Sequence, residues 1–287
     1  MLSELRQSYL RKRSDALEQV IAWLIALMIS VAPPGRKLYI PEAQETVEDA
    51  MSRYEDIAKD AAYVVWDPQE KPIFSGSRGR ERTAMVLLAV ITFESAFRKD
   101  VDFGVGKMSK GDGGKSWCLN QVNLGKLNTN GSTPNRIVVT IGGGFKITDH
   151  QDEGWSGQDL VDDRQKCFHA ALSILRSSFA SCGKNPIEER LTQYASGHCD
   201  QGEEASRIRM GLALRWMGTK LPKFKDAEVF AWMEEERNPP SPSSEVPMLV
   251  SMSWVSDQAP LIGLPYKKTM NDVVDLTHLP PITHVTH

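Results

Sequence analysis

The run Ala84-Met85-Val86-Leu87-Leu88-Ala89-Val90-Ile91-Thr92-Phe93-Glu94-Ser95-Ala96-Phe97 contains no glycine or proline. Met85, Leu88, Ile91 and Phe93, with Ala84 and Leu87 beside them, spread apolar groups around most of a helical surface. A helix from about Arg80 to Phe97, buried on most sides, is therefore expected at the centre of a domain. One carboxylate interrupts it. Glu94 falls near the carboxyl end, where the helix dipole opposes a negative charge and the neighbours are apolar, and both effects raise a carboxyl pKa.

Downstream, between Asp100 and Gly144, glycines are dense and the β-formers gather late, in Ile137-Val138-Val139-Thr140. Loops and a small strand pair are expected there, because Gly142, Gly143 and Gly144 cut any longer ladder. Helices return after that. Leu160 to about Ser181 carries Cys167, Ala171, Ile174, Leu175 and Phe179 as a core stripe, with Asp162-Asp163-Arg164 as capping residues near its start. Shorter helices fit Pro186 to Ala195, Glu203 to Met217 and Asp226 to Arg237. The expected class is α+β, predominantly helical.

Upstream, Leu2 to Val31 can form one long helix, stopped by Pro33-Pro34-Gly35. A second fits Pro41 to about Val65: Pro41 suits a first helical position and Glu42 and Glu45 favour the positive end of the dipole. Val20 to Ala32 is apolar but shorter than a membrane span of about 20 residues. It follows Arg11-Lys12-Arg13 and ends on Ser30-Val31-Ala32, as a secretory signal does, yet Asp15 and Glu18 adjoin it and Pro33 would follow the cut. A buried amphipathic helix is the preferred reading; a signal or a membrane-active segment are the alternatives. After Asn238, prolines alternate with serines and exclude helix. Leu249, Trp254, Leu261 and Tyr266 are too apolar for a solvated linker, so an extended strap that packs on its own domain or on a protein partner is expected. The organisation is then a helical N-terminal arm (1–75), a central domain (76–225), and a terminal helix with a Pro-rich tail (226–287).

Apolar residues make up 41% of the 287 and charged residues 25%, which supports a real core, and the net charge of −3 offers no basic field for nucleic acid. Cys118, Cys167, Cys182 and Cys199 show no CxxC spacing and are too sparse for a disulfide framework. Buried thiols in a reducing compartment are the simpler expectation. Cys182 and Cys199, with His198, can in principle hold a metal or form one disulfide, but zinc sites show tighter ligand pairs, so no metal and no cofactor is expected.

Three blocks carry chemistry when taken together: Phe93-Glu94-Ser95-Ala96-Phe97; Gly111-Asp112-Gly113-Gly114 followed by Ser116-Trp117-Cys118-Leu119-Asn120-Gln121-Val122-Asn123; and Gln193-Tyr194-Ala195-Ser196-Gly197. In order and spacing they resemble the lytic transglycosylases and goose-type lysozymes. That family closes a buried helix on Glu-Ser, continues with Gly-Leu-Met-Gln-Ile/Val, and then has a Tyr-Asn-x-Gly turn. Here Cys118 stands for the Gly, Asn120 for the Met and Ala195 for the Asn; Asn123 stands where some goose-type enzymes carry a second acid. The likeness spans about Arg80 to Trp216 and implies a lysozyme-like fold acting on the glycan strands of peptidoglycan.

In that reading Glu94 is the acid/base, since glycosidic cleavage needs one carboxyl group protonated near neutral pH. Asp112 is the best second carboxylate and Asp102 the next. Ser95, Gln121, Tyr194, Trp117 and Asn123 form the expected substrate-binding set, with the Tyr194 hydroxyl reaching the Glu94 carboxyl and Trp117, Phe103 or Trp155 stacking on sugars. The preferred reaction is that of a lyase, in which the sugar's own 6-hydroxyl closes to a 1,6-anhydro end; a hydrolytic muramidase and a structural protein that kept the fold without the activity are the alternatives. The unusual ends suggest a virion component that opens the cell wall for genome entry, with protein partners at 239–287 and at the N-terminal helices. A bacterial envelope enzyme is the rival.

Overall fold

A computed structural model describes residues 2–131, 133–219 and 223–237. The fold is α-rich with two small antiparallel hairpins, within the α+β class expected. The strap expected over 239–287 lies outside the described residues.

The first helix, α1 (Leu2–Val31), turns Leu17, Val20, Trp23, Leu24, Leu27 and Met28 inward, a spacing of three and four that makes one apolar stripe. It packs on α2 (Val47–Val65) and α3 (Gly79–Glu94). Among the described residues no helix is long and apolar enough to cross a membrane. The N-terminal helices fall within one compact unit that runs to Trp232. Pro41 does not start α2 as expected. It opens a one-turn 3₁₀ helix (Pro41–Ala43), and α2 begins instead behind Thr46, whose hydroxyl accepts from the Asp49 N–H at 3.0 Å.

Arg53 and Arg164 draw several segments together. Arg53 bonds Glu45 at 2.5 Å and lies 3.4 Å from Asp102, while Arg164 bonds Asp102 at 2.7 Å and approaches Asp60 at 3.3 Å. Asp102, at the end of the short α4 (Lys99–Asp102), is fully enclosed by these cations. A carboxylate so paired and buried is a structural anchor, which removes Asp102 as the alternative second acid.

The sheet regions are β1 (Ser116–Trp117) with β2 (Val122–Asn123), and β3 (Arg136–Val139) with β4 (Phe145–Thr148). The second hairpin falls where the β-formers predict it, and Gly142 turns it: φ is +69° there and a Cβ would meet the carbonyl of Gln69. Glu70 ties this turn to the core, accepting from the Gly142 N–H at 3.1 Å and from Arg176 at 2.6 Å, with His169 also 2.6 Å away.

The single helix expected over Leu160–Ser181 is two, α5 (Gly157–Asp162) and α6 (Arg164–Ser181). Asp163 breaks it in an extended conformation and caps α6 by accepting from the N–H groups of Gln165 and Lys166, at 3.0 and 3.2 Å. Likewise Pro186 to Ala195 divides into a 3₁₀ turn (Ile187–Glu189) and α7 (Thr192–Ser196), whereas α8 (Glu203–Met217) and α9 (Asp226–Arg237) match their expected bounds. Helix α3 is the centre, buried from Gly79 to Ile91 apart from a half-buried Arg82, with α8 packed along it.

Candidate active site

The site begins where α3 stops. Its buried length carries Glu94 to the end of the helix, and the chain then turns through Ala96 and Phe97, both left-handed with φ of +50° and +53°. Their carbonyls are met by guanidinium groups, Arg36 on Ala96 and Arg53 on Phe97 at 2.8 Å. Ser95 is buried, and its hydroxyl bonds back to the Ile91 carbonyl at 3.2 Å. It closes the helix rather than facing a substrate, which corrects its expected role.

The second block folds as a tight loop on the β1–β2 hairpin. Gln121 does not present its amide outward as expected: its Oε1 accepts from the Gly111 N–H at 2.5 Å, and its Nε2 donates to the carbonyls of Cys118 and Ser109 at 2.9 and 3.3 Å. Gln121 thus positions the Gly-Asp turn, and a Cβ at Gly111 would push the Gln121 amide out of this arrangement. Ser116 and Asn123 face each other across the hairpin and converge on one atom, Oδ2 of Asp112, at 2.6 and 2.9 Å. Asn123 therefore orients Asp112, its own oxygen occupied by the Gly125 N–H at 2.7 Å. Asp112 itself is exposed and left-handed, with φ of +51°.

Cys118 holds the turn between the two strands of this hairpin. Its φ is +58°, a conformation that favours Gly, and its sulfur is joined to Cys167 on α6. Cys182 and Cys199 form a second disulfide, so all four cysteines are bridged. The expectation of free buried thiols is overturned by these two bridges. Trp117, expected to stack on a sugar, is buried with its ring against Gly157 and the Lys110 ammonium 3.8 Å from the ring centre. It anchors the loop on α5. Phe103 is half exposed, on the wall of an acidic cavity of about 540 Å³ with Asp60, Asp162 and Asp163.

Tyr194, on α7, donates its hydroxyl to the Asn120 carbonyl at 2.5 Å and not to Glu94 as expected. It pins the loop from the opposite side, so Tyr194→Phe should destabilise the fold by about 1–2 kcal/mol, the cost of an orphaned buried carbonyl, as read by urea denaturation. An unchanged midpoint would count against this bond. The residue that does reach Glu94 is Arg209 on α8, which donates to Oε1 through Nε at 2.9 Å and Nη2 at 2.7 Å.

Four groups share one electrostatic environment. Burial raises the Glu94 pKa above its ordinary value, the Arg209 charge opposes that shift, and the Asp112 charge adds to it. Burial likewise raises the Tyr194 phenol, which feels Glu94, Arg209 and Asp112 together. The side chain of Glu94 keeps 18% of its surface accessible, so solvent and ligand can reach it. Of the six non-glycine residues with left-handed backbone among the described residues, Ala96, Phe97, Asp112, Cys118 and Gln121 lie in these two blocks. Strained conformations cluster where a structure over-determines a site.

No family model matches the chain, and neither a curated protein nor a solved structure does. Arg209 was invisible in the sequence, because an arginine on a helix beside Ile208 and Met210 is indistinguishable from a solvated one. The Cys118–Cys167 bridge spans 49 residues and had no local signal.

Proposed function

We infer that the protein cleaves the glycan strand of peptidoglycan between N-acetylmuramic acid and N-acetylglucosamine on a lysozyme-like domain, with Glu94 as the acid/base. The observation that carries this reading is a carboxyl group at the end of a buried helix, its pKa raised by burial, accessible, and coupled to a second, rigidly oriented carboxylate. A buried acid that stays protonated above the usual carboxylate range can deliver a proton to a glycosidic oxygen. Once deprotonated, the same group can accept the proton of the sugar's 6-hydroxyl as it closes on the anomeric carbon, giving a 1,6-anhydro end. That nucleophile is intramolecular and needs no separate activating base.

Asp112 favours a second reading, hydrolysis. With Oδ2 held by Ser116 and Asn123, an exposed Asp112 still has a second oxygen that can accept from a water. Digestion of purified sacculi with the full chain, followed by mass spectrometry of the released muropeptides, separates the two: anhydro ends for the lyase, reducing ends for the hydrolase, and no release if the fold is only structural. Under the lyase reading Asp112→Asn should slow anhydro release by less than about tenfold. A fall of about a hundredfold or more, with reducing ends, transfers the reaction to the hydrolytic reading.

The disulfides suit a protein that works in the periplasm or outside the cell. The setting that fits is a virion component acting at the cell wall, and detection in purified particles tests it against a resident envelope enzyme.

A further inference from the structure

Glu94 and Arg209 are 115 residues apart in sequence yet joined by two hydrogen bonds that fall on the same oxygen, Oε1. The guanidinium is itself fixed, its Nη1 donating to the Ala205 carbonyl at 2.9 Å, and it is about as buried as its partner, 16% against 18% exposed. Helix α8 packs along α3 and buries Met210, Leu212, Ala213 and Trp216, so the fork arrives on a rigid element. Among the described residues no donor reaches Oε2.

We propose that Arg209 is a positioning residue for the proposed reaction: it clamps Oε1 so that Oε2 alone carries and delivers the proton, and it stabilises the carboxylate left behind. This rests on Glu94 being the acid. The step balances without any further reactant. The Oε2–H bond breaks as a new O–H bond forms on the glycosidic oxygen, the C–O electron pair leaves with that oxygen, and the negative charge appears on a carboxylate already facing a guanidinium. In the second half the carboxylate recovers the proton from the attacking hydroxyl. An acid with no cation beside it would hold its proton too tightly in so buried a place; one beside a cation but without the burial would lose it too early. Burial and Arg209 act in opposite directions on Glu94, Asp112 adds to burial from the 109–121 loop, and Tyr194 faces the same space from α7.

The test is the pH profile of muropeptide release by the full chain and by Arg209→Met and Arg209→Lys. Removing the charge leaves burial unopposed, so in Arg209→Met the alkaline limb should move up by about one to three pH units, the range an adjacent opposite charge commands. Turnover should fall while KM stays close to that of the parent. Arg209→Lys keeps the charge and loses the fork, so its limb should stay near the parent position. Where Arg209→Met folds poorly, Arg209→Gln, which also removes the charge, with ¹³C titration of the Glu94 carboxyl reads the same quantity. A parent enzyme whose limb is unmoved by Arg209→Met overturns the inference alone, and a lowered melting temperature with an unmoved limb makes Arg209 merely structural. A parent chain that releases nothing at any pH overturns the reading of Glu94 as acid, and this inference with it.

Discussion

Glu94→Gln should lower muropeptide release by about 10²- to 10⁴-fold, the usual contribution of a positioned general acid, while leaving the fold intact. The substitution preserves shape, and its amide oxygen can still accept the two donors that Arg209 directs at Oε1. What it lacks is a transferable proton. The measurement is release from purified sacculi alongside thermal denaturation. Retained activity would remove Glu94 from the chemistry, and lost activity with lost folding would make the pair structural. The pH dependence follows from the direction of the shift. Because burial raises the Glu94 pKa above the ordinary value of 4.5, the acid form persists to higher pH than in an exposed glutamate, and activity should fade as pH rises through that raised pKa. The same shift has a consequence for stability. The folded chain binds this proton more tightly than the unfolded chain does, so Glu94 favours the fold at acid pH, and that contribution is lost as pH climbs through the folded pKa.

Much of this site was legible because it is local. A helix apolar on nearly every side cannot be a surface helix, and a carboxylate at its end must sit close to the core; both statements needed only residues 80–97. The Gly-Asp turn and the α8 bounds were legible for the same reason. What failed was the assignment of side chains to partners. Gln121, Asn123, Ser95 and Tyr194 were all expected to face a sugar or the acid, and all turn polar atoms onto the protein's own backbone, whose groups at helix ends and in irregular segments must find partners. Such loops are built by exactly the residue types that bind ligands, so type alone does not separate scaffold from site. Asp102 failed for another reason: its cations, Arg53 and Arg164, come from 49 residues before it and 62 after. No window of sequence contains that triad.

Removal of the Cys118–Cys167 bridge should be the most damaging change to stability. Chain-entropy scaling for a separation of 49 residues gives about 4 kcal/mol, against about 3 kcal/mol for the 17-residue separation of Cys182 and Cys199. Either is a large fraction of the roughly 5–15 kcal/mol that keeps a domain folded. The longer bridge also fastens the turn that carries Gln121 to α6, and through Gln121 the Gly111-Asp112 turn, so its loss should reduce activity as well as stability. Its backbone conformation allows the two contributions to be separated. Cys118 is left-handed, and a side chain with a Cβ pays about 1–2 kcal/mol for that conformation, whereas glycine does not. The double variant Cys118→Gly with Cys167→Ala should therefore be more stable than Cys118→Ala with Cys167→Ala by about 1–2 kcal/mol, and should recover more of the muropeptide release. Chemical denaturation of the two, with and without reductant for the parent, measures each step. If the glycine and alanine variants unfold at the same denaturant concentration, the turn relaxes freely once unbridged, and the bridge acts on the unfolded chain alone. If the reduced parent is as stable as the oxidised one, the bridge has no part in holding the site together.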